Sequence, residues 1–202
     1  MPTTIPTVTV ASVLTPVDPQ MLYTTVTSRT PIYTTQLATN DEKQWDVGAF
    51  SGGSCRFTGG AYQITIAQPG YAGVCAANNL KMTNFAFQAN MTLLGGDSGG
   101  LVFRDINQHL YAFRISADGA YDVTSQTDIL ASGQSQAILT GLGQTNQLTV
   151  IAQGQQVSLY INQSFLTTVT DPLTNSGSIG CLAVDVSAAT TVSFSMVQLW
   201  TL

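Results

Sequence analysis

Positions 61–67 read Ala-Tyr-Gln-Ile-Thr-Ile-Ala, apolar and polar by turns, which is the period of a half-buried strand. The same alternation recurs over 84–94, 101–104, 111–116 and 120–124, and further strand-like runs cover 147–152, 156–162, 177–184 and 191–200. Turn chemistry separates them. Asp118-Gly119 is a hairpin signal, and Gln153-Gly154-Gln155 divides two later runs. No window offers a long capped helix. Many short strands at near-regular spacing predict an antiparallel β-sandwich, and 202 residues suit a single such domain.

The pattern changes near residue 45. The first 40 residues hold five of the seven prolines, twelve threonines and no glycine, with Asp18 and Arg29 as the charged side chains. Residues 1–20 read as a Thr/Pro-rich stalk, too poor in apolar surface to fold alone. Residues 21–37 are richer in β-formers and are expected to supply an edge strand or to wrap onto the domain. The expected organisation is a stalk over 1–20 and one sandwich over 21–202, with its core in 45–202.

Charge narrows the function classes. Six Lys/Arg and eleven Asp/Glu make 8% of the chain, and the net charge is −5. Nucleic-acid binding needs a basic patch that six cations cannot supply. One histidine, His109, rules out a polyhistidine metal site, and one glutamate, Glu42, rules out a catalytic glutamate pair. No run of about 18 apolar residues spans a membrane, so membrane contact is expected only through a tether outside these residues. Met1-Pro2-Thr3 lacks the basic and apolar regions of a signal peptide; an exported protein would carry its targeting segment ahead of it. Uncharged polar residues between β-runs suit an extracellular or periplasmic protein, attached to the cell surface in its full-length form.

The runs Cys55-Arg-Phe-Thr-Gly-Gly-Ala-Tyr-Gln-Ile, Gly99-Gly-Leu-Val-Phe-Arg, Tyr111-Ala-Phe-Arg-Ile-Ser-Ala-Asp-Gly-Ala-Tyr, Val157-Ser-Leu-Tyr-Ile-Asn, Gly177-Ser-Ile-Gly and Val192-Ser-Phe-Ser-Met-Val-Gln-Leu-Trp resemble the concanavalin A-like lectin/glucanase jelly rolls. The nearest branch includes the 3-keto-disaccharide hydrolase-like domains and extracellular modules of bacterial sensor and receptor kinases. The resemblance covers about residues 45–202. It implies two sheets that bury their facing sides and leave an outer, concave face for ligand. Alternation puts Leu101 and Phe103 on one side of their strand, with Val102 and Arg104 on the other. It places Tyr111, Phe113 and Ile115 opposite Ala112 and Arg114. The ligand face is then expected to gather Arg104, Arg114, Asp122, Tyr160 and Asn162: a stacking ring, fork donors and an amide.

Three tempting chemistries are weaker. Gly96-Asp-Ser-Gly-Gly100 matches the signature around a trypsin-like nucleophilic serine, which needs a base and a group to orient it. Here the one histidine follows Ser98 by eleven residues in an expected hairpin loop, and the upstream histidine motif is missing. A strand turn is the better reading. A retaining glycosidase needs two carboxyls about 5–5.5 Å apart; the glucanase Glu-x-Asp-x-x-Glu motif is absent, leaving Asp118 with Asp122 or Asp97 with Asp105. No cofactor is called for. A structural Ca²⁺ is the one ion the chemistry admits, with Asp97, Asp105, Asn107, Asp128 and Asp185 as oxygens, but no spacing marks a calcium loop.

Cys55 and Cys75 flank the strand at 61–67 and suit a disulfide spanning a hairpin, while Cys181 lies in an apolar run and reads as a buried thiol. The expected function is non-catalytic binding of a glycan or other extracellular ligand, as a sensor or adhesion module. A glycoside hydrolase of the concanavalin A-like or 3-keto-disaccharide hydrolase type is the alternative. A structural module without a small ligand is the second. No catalytic or metal residue is assigned.

Overall fold

The computed structural model describes residues 18–40, 44–106, 109–126, 128–172 and 176–202. In chain order these form α1 (Pro19–Thr27), β1 (Tyr33–Thr35), β2 (Gly48–Phe50), β3 (Gly53–Thr58), β4 (Ala61–Ile66), β5 (Ala72–Met82), β6 (Phe85–Gly95), β7 (Ser98–Ile106), β8 (His109–Ser116), β9 (Ala120–Ser125), β10 (Asp128–Gln134), β11 (Thr145–Gln153), β12 (Gln156–Ile161), β13 (Ser164–Thr170), β14 (Gly177–Val184) and β15 (Thr190–Thr201). The larger sheet runs β13-β12-β11-β6-β15-β4-β3-β2, with β1 also pairing with β15. The smaller runs β10-β9-β8-β7-β14-β5. All pairings between these strands are antiparallel, so the chain is an all-β sandwich of the expected class.

The period-two pattern decides which side chains meet between the sheets. Leu101, Phe103, Tyr111, Phe113 and Ile115 from the smaller sheet pack against Ile64, Phe87, Leu148, Val150, Leu159 and Phe194 from the larger one, removing apolar surface from water at about 25 cal/mol per Å². Asp118-Gly119 makes the β8–β9 turn as its composition predicts. Gly119 takes φ +90°, a conformation that side chains disfavour, and Asp118 accepts the Ala120 N–H at 3.1 Å.

Cys55 and Cys75 are bonded, but not across a hairpin. Cys55 belongs to β3 of the larger sheet and Cys75 to β5 of the smaller one, so the bond staples the two layers together. Closing a 20-residue separation stabilises the fold by about 3 kcal/mol in the chain-entropy description. Cys181 is a free, buried thiol as expected.

The N-terminal segment differs from the expectation. Residues 1–17 of the expected stalk lie outside the described residues, while Asp18, Pro19 and Gln20 open a helix. Asp18 caps it, accepting the Gln20 N–H at 2.8 Å, and Pro19 takes the first helical position. The composition reads as extended because Thr and Val favour strands; packing overrides it. Tyr23 and Val26, three residues apart on one helix face, are buried against Ala86, Ile151, Tyr160 and Trp200 on the outer side of the larger sheet. Residues 33–35 then add the expected edge strand, β1, along β15.

Candidate ligand-binding groove

Outward-facing residues of the smaller sheet alternate with the core positions just described. Reading across the strands, Val74 stands opposite Leu182, Leu182 opposite Gly100, Gly100 opposite Arg114, Arg114 opposite Asp122, and Asp122 opposite Ser132. The adjacent row runs Ala76, Gly180, Val102, Ala112, Thr124 and Ile129. Over these rows lies a groove of about 480 Å³. Ala72, Val74, Leu110, Ala112, Leu182 and Val184 give it an aliphatic lining, and Arg114, Thr124 and Gln126 form its polar side. No aromatic ring is among these lining residues.

Arg114 and Asp122 are direct cross-strand neighbours, so their side chains rise from the same face. The guanidinium donates from Nε at 2.7 Å and from Nη2 at 2.6 Å to the two carboxylate oxygens, the bidentate fork that this pair of groups favours. Both remain partly open to solvent, at 26% and 29% exposure.

The other three expected site residues lie elsewhere. Arg104 takes φ +50° at a register shift in β7. That bulge breaks the period-two count and turns the side chain into the protein, where Arg104 is 1% exposed. There it pairs with Asp171 and donates to the carbonyl oxygens of Thr83 at 2.9 Å and Gly154 at 2.8 Å. Tyr111 donates to the other Asp171 oxygen at 2.6 Å, and burial first, then this bond, pushes its phenol up to about 12.

Tyr160 is fully buried on the outer side of the larger sheet beneath α1, its ring 5.1 Å from that of Tyr23. Its hydroxyl donates to the Pro19 carbonyl at 2.6 Å, and burial raises its pKa to about 12. Asn162 occupies a left-handed turn position after β12. Its amide donates to Ala137 O and Asn146 Oδ1, while its oxygen accepts the Gln147 N–H. Tyr160 and Asn162 therefore work for the larger sheet, and the groove keeps Arg114 and Asp122.

The protease-like motif has a structural explanation. Asp97 accepts the backbone N–H groups of Val186, Ser187 and Ala188 at 2.7, 2.8 and 3.1 Å and the Ser187 hydroxyl at 2.8 Å. These bonds, led by the Ser187 amide, hold its carboxyl down at about 2. A side chain at Gly96 would strike Thr190, one at Gly99 would strike Val192, and one at Gly100 would lie 1.9 Å from the Phe113 carbonyl oxygen. The motif thus locks the β14–β15 loop and lets neighbouring backbones approach. Ser98 pairs with Ser116 at one end of the β7–β8 hairpin and His109 with Ile106 at the other, roughly 25 Å apart at strand rise. They cannot form a nucleophile and base.

The carboxyl pairs fare similarly. Asp97 and Asp105 sit at opposite ends of β7. Asp118 holds its turn, and Asp122 is clamped by Arg114. Of the calcium candidates, Asp97 is occupied by the loop amides, and burial raises the carboxyl of Asp105. Asp185 is fully buried, its carboxylate without a hydrogen-bond partner. Asn107 lies outside the described residues. Among the described residues, no three His, Cys, Asp or Glu side chains gather in a cluster fit to hold a metal ion.

Two antiparallel sheets stacked face to face, with a groove on one outer side, make this domain an all-β sandwich. No family model and no curated protein matches the chain by sequence. Solved structures with the same fold include the carbohydrate binding module CBM66 from Bacillus subtilis, 15% identical over 78% of this chain and 96% of that one, at TM-score 0.65. The exoplasmic/lumenal domain of VIP36 with Ca²⁺ and Man3GlcNAc bound is 14% identical over 83% and 88%, at TM-score 0.60. The β-glucanase of Bacillus licheniformis is 7% identical over 84% and 98%, at TM-score 0.63. At these identities the likeness defines the fold.

Proposed function

We propose that this domain binds a neutral glycan without cleaving it, in the groove on the outer face of the smaller sheet. The observation that carries the reading is the Arg114–Asp122 fork standing beside an aliphatic floor. A sugar ring has a C–H face and a rim of hydroxyls; the first suits Val74, Leu182 and Val184, the second the fork and the edge at Thr124. The fork consumes Nε and Nη2, and we assign Nη1 to a ligand hydroxyl. Its own charges cancel, so the groove offers little attraction to an anionic ligand. Two proteins of the same fold support the class of ligand: one is named a carbohydrate binding module, and another holds Man3GlcNAc.

Binding is preferred to hydrolysis because Asp122, the acid beside the groove, is engaged by Arg114, and Asp118 is held in its turn. On the outer face of the larger sheet, α1 covers Ala86, Ile151, Tyr160 and Trp200, and we give that part a structural role. The inter-sheet disulfide fits an oxidising compartment, and we place the domain outside the cytoplasm.

A glycan array probed with the full chain, Arg114→Ala and Asp122→Ala tests this reading. Binding to neutral glycans that both substitutions abolish is expected. Binding to no sugar, or binding that neither substitution changes, overturns it.

A further inference from the structure

All three cysteines of the chain converge at one place in the core. Cys55 comes from β3 in the larger sheet, and Cys75 and Cys181 come from adjacent strands of the smaller one. In the antiparallel register of β5 and β14, Cys181 stands directly opposite Cys75. Directly opposed residues project to the same face, with Cα atoms about 4.5–5.5 Å apart. Disulfides span Cα separations of about 4.4–6.8 Å, so the free thiol is placed as a disulfide partner for Cys75 as well as Cys55 is.

We propose that Cys55, Cys75 and Cys181 form an internal thiol–disulfide exchange site with two covalent states. In one, Cys55–Cys75 ties the sheets together. In the other, Cys75–Cys181 ties two strands within one sheet and leaves Cys55 as the thiol. The step balances within the chain. The Cys181 thiolate attacks Cys75 Sγ, the Cys55–Cys75 bond breaks as the Cys75–Cys181 bond forms, and the proton lost by Cys181 is taken up by Cys55. No external oxidant or reductant is consumed.

Burial decides when this happens. Cys75 and Cys181 are wholly buried, and burial pushes the Cys181 thiol well above its ordinary value, so the closed fold holds little thiolate. β5 is the edge strand of its sheet, and its opening from β14 would admit water to the pair. Exchange therefore belongs to oxidative folding and to partial opening rather than to the closed native state.

Loop lengths give the experiment its reference. Residues 75 and 181 are 106 apart, against 20 for the native bond, so chain statistics alone yield Cys75–Cys181 at roughly a twelfth of Cys55–Cys75. Fully reduced protein is refolded under a glutathione buffer at pH 8.5, quenched with acid at intervals and mapped without reduction. Under conditions that favour folding, Cys75–Cys181 is expected well above that statistical share among early one-disulfide species; the same oxidation in strong guanidinium returns it to the statistical share. Cys55→Ser is expected to acquire the Cys75–Cys181 bond quantitatively and to resist thiol alkylation. Early species at or below the statistical share overturn the proposal, as does a folded Cys55→Ser protein with both remaining thiols free. Should Cys55→Ser not fold, the wild-type mapping decides alone.

Discussion

Arg104 and Asp171 form an ion pair wholly inside the protein, each side chain at 0% exposure. One comes from the bulge in β7 and the other from the residue that follows β13. Removing one partner strands the other charge away from water, which typically costs about 3–5 kcal/mol. Arg104→Met and Asp171→Leu are each expected to destabilise by that amount in urea unfolding, and the double substitution by less than the sum. Single variants within about 1 kcal/mol of wild type would show that solvent reaches the pair.

The second ion pair should behave in the opposite way. Arg114 and Asp122 are about a quarter exposed, and pairs open to water contribute about 0.2–1 kcal/mol. Arg114→Ala is expected to leave the urea midpoint nearly unchanged while abolishing glycan binding. A large loss of stability would reassign the fork from ligand binding to sheet cohesion.

Asp97 gives the fold an acid-sensitive latch. Its carboxyl lies at about 2 in the folded protein against an ordinary 3.8, so between those values the unfolded chain binds more protons. Its stabilising contribution is complete above pH 4 and disappears as the pH falls through 2. Asp97→Asn is expected to melt earlier at pH 7, and its melting temperature should fall less between pH 4 and pH 2 than that of wild type. Parallel pH profiles for the two proteins would refute the latch.

The glycines of the protease-like motif should matter more than its serine. A Cβ at Gly100 would lie 1.9 Å from the Phe113 carbonyl oxygen, so Gly100→Ala is expected to cost at least about 2 kcal/mol through forced strand separation. Ser98→Ala is expected to stay within about 1 kcal/mol. Thermal melts of the two variants provide the comparison, and equal losses would count against the motif's steric role.

Strand periodicity made the layers legible: Phe113, Leu148 and Phe194 face the core as alternation requires. The disulfide was also readable, though not its placement between sheets, because sequence distance does not say which layer a strand joins. The same ignorance put Tyr160 and Asn162 on the wrong sheet. Arg104 was misassigned for a more local reason, since one left-handed residue shifts every later side chain to the other face. Helix α1 was hidden because its Thr- and Val-rich residues favour strands; only Tyr160 and Trp200, distant in sequence, supply the surface on which Tyr23 and Val26 settle. Arg114 and Asp122 were rightly set on one face because a short Asp-Gly turn fixes the register of their own hairpin; that they pair is seen only in the structure.

β15 follows every other strand in sequence and yet lies between β6 and β4 in the larger sheet, with β1 also resting on it. As the chain emerges during synthesis or export, its earlier strands therefore wait as two unsealed edges around an empty lane. The larger sheet can close only when residues 190–201 arrive, a long-range pairing of the kind that folds slowly. Until then the exposed edges of β4 and β6 are open to any passing strand. Timing, and not stability alone, is thus written into the order of the sheet.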